Sequence, residues 1–167
     1  MTTLLLLLAC SGGDSKESGD STTQDSQDTG TDDGCSTVEG KTGTVALSFQ
    51  MEWDYIGSMD EPPVGDFKGS VFACKDASAV GPVDGATSLL DITVALDLST
   101  SNGDATGVLY TSDPLPAQSV WILGCLDSDA NDCDKHDLIT RPSENKVVVA
   151  PDAETPFTIF FGMLNPS

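Results

Sequence analysis

Between Thr44 and Trp53 the chain alternates without a break. Val45, Leu47, Phe49, Met51 and Trp53 fall on one side of an extended backbone, and Thr44, Ala46, Ser48, Gln50 and Glu52 on the other. A period of two sustained this long is the pattern of a strand with one face in a core. A helix would scatter the same five apolar residues around its circumference. Leu89 to Leu98 repeats the pattern, with Ile92, Val94, Leu96 and Leu98 inward, and its β-branched residues favour a strand over a helix.

The same reading gives strands at Phe67–Cys74, Gly107–Ser112, Ser119–Cys125, Lys146–Ala150 and Phe157–Leu164. Turn chemistry separates them: Pro62-Pro63 with Gly65, then Gly81-Pro82, then Asn102-Gly103, whose asparagine and glycine suit positive φ. Ser119 to Cys125 is apolar on both faces, as a central strand is. No stretch shows a convincing amphipathic helix. The expectation is an all-β fold, a seven-stranded antiparallel two-sheet sandwich of prealbumin or immunoglobulin-like type over residues 35–167.

Charge narrows the partners. The chain carries a formal net charge of −20; residues 11–34 hold seven acids against one lysine, so 14 of those net negative charges belong to the rest. An acidic folded surface repels phosphate backbones, which argues against nucleic acid as a partner. It also repels anionic lipid headgroups, so a membrane would have to be reached through an anchor.

The amino-terminal segment offers one. Leu4-Leu5-Leu6-Leu7-Leu8-Ala9-Cys10 resembles the lipobox of bacterial lipoproteins. That resemblance implies a signal remnant over residues 1–9, cleavage before Cys10, and acylation of Cys10 with palmitate-type chains. Ser11 after the cysteine implies, by the same resemblance, sorting to the outer membrane of the cell envelope. A basic region is missing and the apolar run is short, which points to a start site further upstream or a truncated segment. Residues 11–34 are almost wholly Ser, Thr, Gly, Asp and Gln and bury nothing, so a disordered tether is expected. As a flexible coil it spans about 25–30 Å.

With Cys10 set aside, Cys35, Cys74, Cys125 and Cys133 remain. Four cysteines in an exported chain suggest two disulfides, with three possible pairings. Cys125 with Cys133 would close a short acidic loop, and Cys35 with Cys74 would pin the tether to the domain; these are the pairs we favour. The rival is zinc held by Cys125, Cys133 and His136, which requires reduced thiols and a fourth ligand.

The loop after Cys125 is the candidate site. Asp127, Asp129 and Asn131 have the one-three-five spacing of calcium loops, with Asp132, Asp134 and Asp137 close by. Calcium takes six to eight oxygens, which carboxylates, amides and carbonyls supply. A helix–loop–helix site would also need glycine sixth and glutamate twelfth, where this chain has Asp132 and Leu138. A calcium site here would therefore be of a strand-loop kind. The plain alternative is a solvated acidic turn.

Leu115-Pro116-Ala117-Gln118-Ser119 before a strand, an Asp-rich segment, and then strands Val147–Val149 and Phe157–Phe161 are similar to bacterial transthyretin-like (carboxypeptidase regulatory-like) domains. Gln118 stands where that family has glycine, Val120 or Trp121 where it has an aromatic, and Asp132 where its loop has glycine. The resemblance covers about the last 60 residues and implies an accessory, structural or interaction module that is not an enzyme. No G-x-S-x-G turn surrounds any serine, His136 is the sole histidine, and no carboxylate pair stands out for glycosidase work. Trp53 and Tyr55 beside an acidic loop are the candidates for a glycan or small-ligand contact, with Trp121, Phe160 and Phe161 read as core. The protein or glycan partner itself is not written in the sequence.

Overall fold

The computed structural model describes residues 34–52, 62–135 and 137–166. Ten strands form: β1 (Thr37–Met51), β2 (Val64–Ala73), β3 (Ala77–Ser78), β4 (Gly81–Pro82), β5 (Leu90–Asp97), β6 (Tyr110–Thr111), β7 (Leu115–Asp127), β8 (Leu138–Thr140), β9 (Lys146–Val148) and β10 (Glu154–Leu164). Among the described residues the helical pieces are two 3₁₀ turns, Cys74–Asp76 and Pro142–Glu144. The chain is all-β. No helix of the described residues is long and apolar enough to cross a membrane.

Eight strands make one barrel-like sheet in the order β5-β2-β7-β8-β10-β1-β6, with β9 added against β7. A further pairing joins the start of β1 to the start of β7, at Thr37–Gln118 and Thr42–Pro116. β3 and β4 form a separate two-stranded hairpin. The sheet curls because β1 serves two neighbours in turn: its first half runs against β7 and its second half lies between β10 and β6. At the change-over Gly43 is required, since a Cβ there would collide with the carbonyl oxygen of Ala150.

Two expectations are corrected. The strands of the described residues number ten rather than seven, because β3, β4 and β8 are two or three residues long and too short to show any period. Nor is the pairing antiparallel throughout: β1 and β10 run parallel, from Thr44 opposite Glu154 to Met51 opposite Phe161. Alternation is identical whichever way a neighbour runs, so the sequence pattern carries no signal for direction.

The inward faces fulfil the alternation. Val45, Leu47, Phe49 and Met51 are buried, as are Ile92, Leu96 and Leu98, while Val94 packs at the margin. Met163, near the end of β10 where the strand pairs with β8, is exposed. Phe49 of β1, Phe67 of β2 and Phe161 of β10 meet at the centre, all fully buried. Their ring centroids lie 5.1 Å (Phe49–Phe67), 5.9 Å (Phe67–Phe161) and 6.4 Å (Phe49–Phe161) apart. Distances of this order, tilted or offset, are the favourable range for aromatic pairs. Room for the Phe67 ring comes from Gly69 and Gly124, paired across β2 and β7; a Cβ on either would strike that ring.

Both favoured disulfides are present: Cys35–Cys74, with Cα atoms 5.7 Å apart, and Cys125–Cys133, at 5.8 Å. The pairing of Cys125 with Cys133 removes both thiolates from the zinc alternative.

Candidate functional site

The acidic loop leaves the sheet where β7 runs out. β7 ends at Asp127, the chain turns through residues 128–137, and β8 begins at Leu138. Cys125, still within β7, is tied to Cys133 in the loop, so the turn is closed covalently at its neck. β2 approaches closely alongside: a Cβ at Gly65 would collide with the carbonyl oxygen of Asp127.

That approach delivers Lys68. On β2 it lies opposite Cys125, two residues from the Asp66–Asp127 pairing. Its Nζ sits 2.7 Å from Oδ2 of Asp127 and 2.7 Å from Oδ1 of Asp132. The Asp127 side chain is almost wholly buried, at 1% exposure, whereas that of Asp132 is 91% exposed. The other Asp127 oxygen, Oδ1, accepts from the Asn131 backbone N–H at 3.3 Å. A buried carboxylate is tolerable only with such partners.

The second buried acid is Asp137. Its Oδ1 accepts from the Ser128 N–H at 3.2 Å and its Oδ2 from the Asp134 N–H at 2.8 Å, spanning the loop from end to end. Above them the Asn131 side-chain amide donates to Asp129 Oδ2 at 2.7 Å and Asp134 Oδ2 at 3.0 Å. Ala130 and Asp132 take positive φ, +62° and +74°. Asp132 thus adopts the backbone conformation that the glycine of a calcium loop would supply; aspartate tolerates it better than most residues.

Of the six expected ligand residues, three converge. Asp127, Asp129 and Asp137 each offer a carboxylate oxygen, all within 4.8 Å of one another. Asp132 is instead turned to Lys68, and Asn131 spends its amide bridging Asp129 and Asp134. The donor set is all oxygen, as a hard cation requires. Even so, one oxygen of the Asp127 carboxylate, Oδ2, already faces an ammonium group. Lys68 is the residue that sequence reasoning missed. It sits 59 positions from Asp127 on the outward face of a strand, where a lysine is ordinary, and no local pattern links the two. Cys10, Trp53, Tyr55 and His136 lie outside the described residues.

The electrostatics have a consequence in acid. The hydrogen bond from Lys68 holds the Asp127 carboxyl below the usual carboxylate range, outweighing burial, which pushes it up. Lys68 in turn is raised above the ordinary lysine range by Asp127 and then Asp132. A carboxylate whose folded pKa is depressed contributes stability above its unfolded value, near ~3.9, and loses it as pH falls through the folded value. The melting temperature is therefore expected to hold steady from neutral pH down to about 5 and to fall steeply below about 4. Asp91 and Asp97 on β5, lowered by hydrogen bonds from Ser70 and Ser99, add to the same slope. Lys68→Met isolates the Asp127 share: its acid slope should be shallower, and an unchanged slope would mean the pair is not what holds the loop.

Compared with protein-family models, with curated proteins and with solved structures, the chain finds no match.

Proposed function

We propose that this chain is an exported, lipid-anchored module of a bacterial envelope, with a structural or interaction role and no catalysis. The observation that carries the reading is the full oxidation of the four cysteines that follow Cys10, in the pairs Cys35–Cys74 and Cys125–Cys133. Disulfides in this number belong to oxidising compartments outside the cytosol. Cys35 is also the residue at which the polar stretch meets β1, so a pull on the tether is taken up by a covalent bond to the domain.

Acylation of Cys10 supplies the anchor in this reading, in keeping with the apolar run before it. In a bacterium fed labelled palmitate, the chain should carry label and sediment with the outer membrane, and Cys10→Ser should lose both. Label retained in Cys10→Ser, or none in the parent, would remove the anchor. The curled sheet is read as a two-layer sandwich of transthyretin-like type, β5, β2, β7 and β9 facing β10, β1 and β6. An experimental structure with the two layers' strands within about 30° of each other would bear this out, and continuous hydrogen bonding all round would make it a barrel.

Calcium enters the reading as a stabiliser of the acidic loop, competing with Lys68 for Asp127. Calcium at a hundred times its dissociation constant should add about 2.7 kcal/mol of stability, read as a rise in melting temperature. Lys68→Met should bind it several-fold more tightly, because an ammonium a few ångströms away repels the ion. A melt that saturating calcium leaves unmoved in both proteins would reduce the loop to a lysine-clamped turn.

A further inference from the structure

Trp121 sits in the middle of β7, opposite Phe72 on β2 and Lys146 on β9. Residues directly opposite one another project from the same face, so all three stand on the outer side of the sheet. Trp121 is half-buried rather than part of the core. Beside it lies a cavity of about 320 Å³, walled by the Cys35–Cys74 disulfide, Lys75, Ser78, Trp121 and Lys146. The Lys146 Nζ stands 5.8 Å from the centroid of the Trp121 ring and donates to the carbonyl oxygen of Gly34 at 2.7 Å.

The charge of this cavity runs against that of the molecule. On a chain of net charge −20, Lys41, Lys68 and Arg141 are each held by carboxylates. Lys75 and Lys146 instead line a cavity with no acidic residue in its wall. Two ammonium groups attract an anion, and a carboxylate uses both as charge-assisted hydrogen-bond donors. An indole beside them provides a flat apolar surface for a ring. Cys35 and Cys74 are fixed by their disulfide and Lys146 by its bond to Gly34 before any ligand arrives, so these walls add little ordering cost on binding. The volume lies at the small end of the range of ligand sites, enough for one small molecule and not for a polymer.

We infer that this cavity binds a ring-bearing carboxylate, specifically a uronic acid sugar, with the ring against Trp121 and the carboxylate between Lys75 and Lys146. It lies about 20 Å along β7 from the acidic loop, six residues at the rise of a strand, and is independent of any cation there. It also stands apart from the anchored-module reading, which it neither needs nor tests.

The test is calorimetric titration of the full chain with sodium D-glucuronate, with glucose and benzoate as parallel arms. Glucuronate should bind, glucose should not, and benzoate should bind more weakly than glucuronate. Lys75→Glu should weaken glucuronate by about tenfold or more, the scale of one hydrogen bond to a charged group. Because Lys75 is exposed, its replacement should leave the melting temperature unchanged. Trp121→Leu should weaken binding similarly, and Lys75→Glu keeps the test readable if that variant fails to fold. Glucose binding as well as glucuronate, or benzoate binding better, overturns the assignment. So does an absence of glucuronate binding in the parent.

Discussion

Replacing Phe49 with alanine is expected to cost about 3–5 kcal/mol, the range for deleting a fully buried aromatic ring. That is a large part of the 5–15 kcal/mol or so by which domains are stable. Phe49 is the hinge of the aromatic trio: it touches Phe67 across the core and stacks on Phe161 from the neighbouring strand. Its loss leaves a cavity that neither partner can fill, because both rings come from long strands pinned on each side. Urea unfolding should show a lower midpoint with an unchanged slope, the sign of lost stability without a change in the surface exposed. A loss below about 1 kcal/mol would place the centre of the core elsewhere.

Removing the Cys35–Cys74 disulfide is the second large effect. The bond closes a loop of 39 residues, and by the chain-entropy relation it restricts the unfolded chain by about 4 kcal/mol. The Cys125–Cys133 bond spans 8 residues, for which the same relation gives about 2.5 kcal/mol. Cys35→Ser/Cys74→Ser should therefore melt well below Cys125→Ser/Cys133→Ser, and reductant should bring the parent below both. The reverse order would show that the short bond acts on the folded state, by holding the acidic loop against Lys68, more than on the unfolded chain.

Much of the fold was legible because it is written in periodicity. β1 and β5 bury the residues that alternation assigns to the core, apart from the half-buried Val94; in β10 Ile159 and Phe161 are buried, Phe157 is half-buried and Met163 exposed. β7 also reads correctly as a central strand, since it pairs with β1, β2, β8 and β9. Its second apolar face has a specific explanation: Cys125 is capped by a disulfide, and Leu123 lies beside the β3–β4 hairpin. What could not be read is whatever depends on which strand lies beside which. The parallel β1–β10 pair joins residues 110 apart, and Lys68 meets Asp127 only because β2 lies against β7. The same limit hid the cavity at Trp121, whose walls come from four separate segments. At the acidic loop composition gave the right neighbourhood but not the roles. Six acidic or amide side chains look alike in sequence, and only backbone geometry decides that three converge while others serve the loop itself.

The parallel union of the first and last strands governs when this protein can fold. β1 is made well before β10, yet its partner along half its length lies 110 residues further on. Until then Phe49 lacks Phe161 and the sheet stays open, so closure has to await β10. Contacts this distant along a chain slow folding, since the intervening segment must first be gathered in.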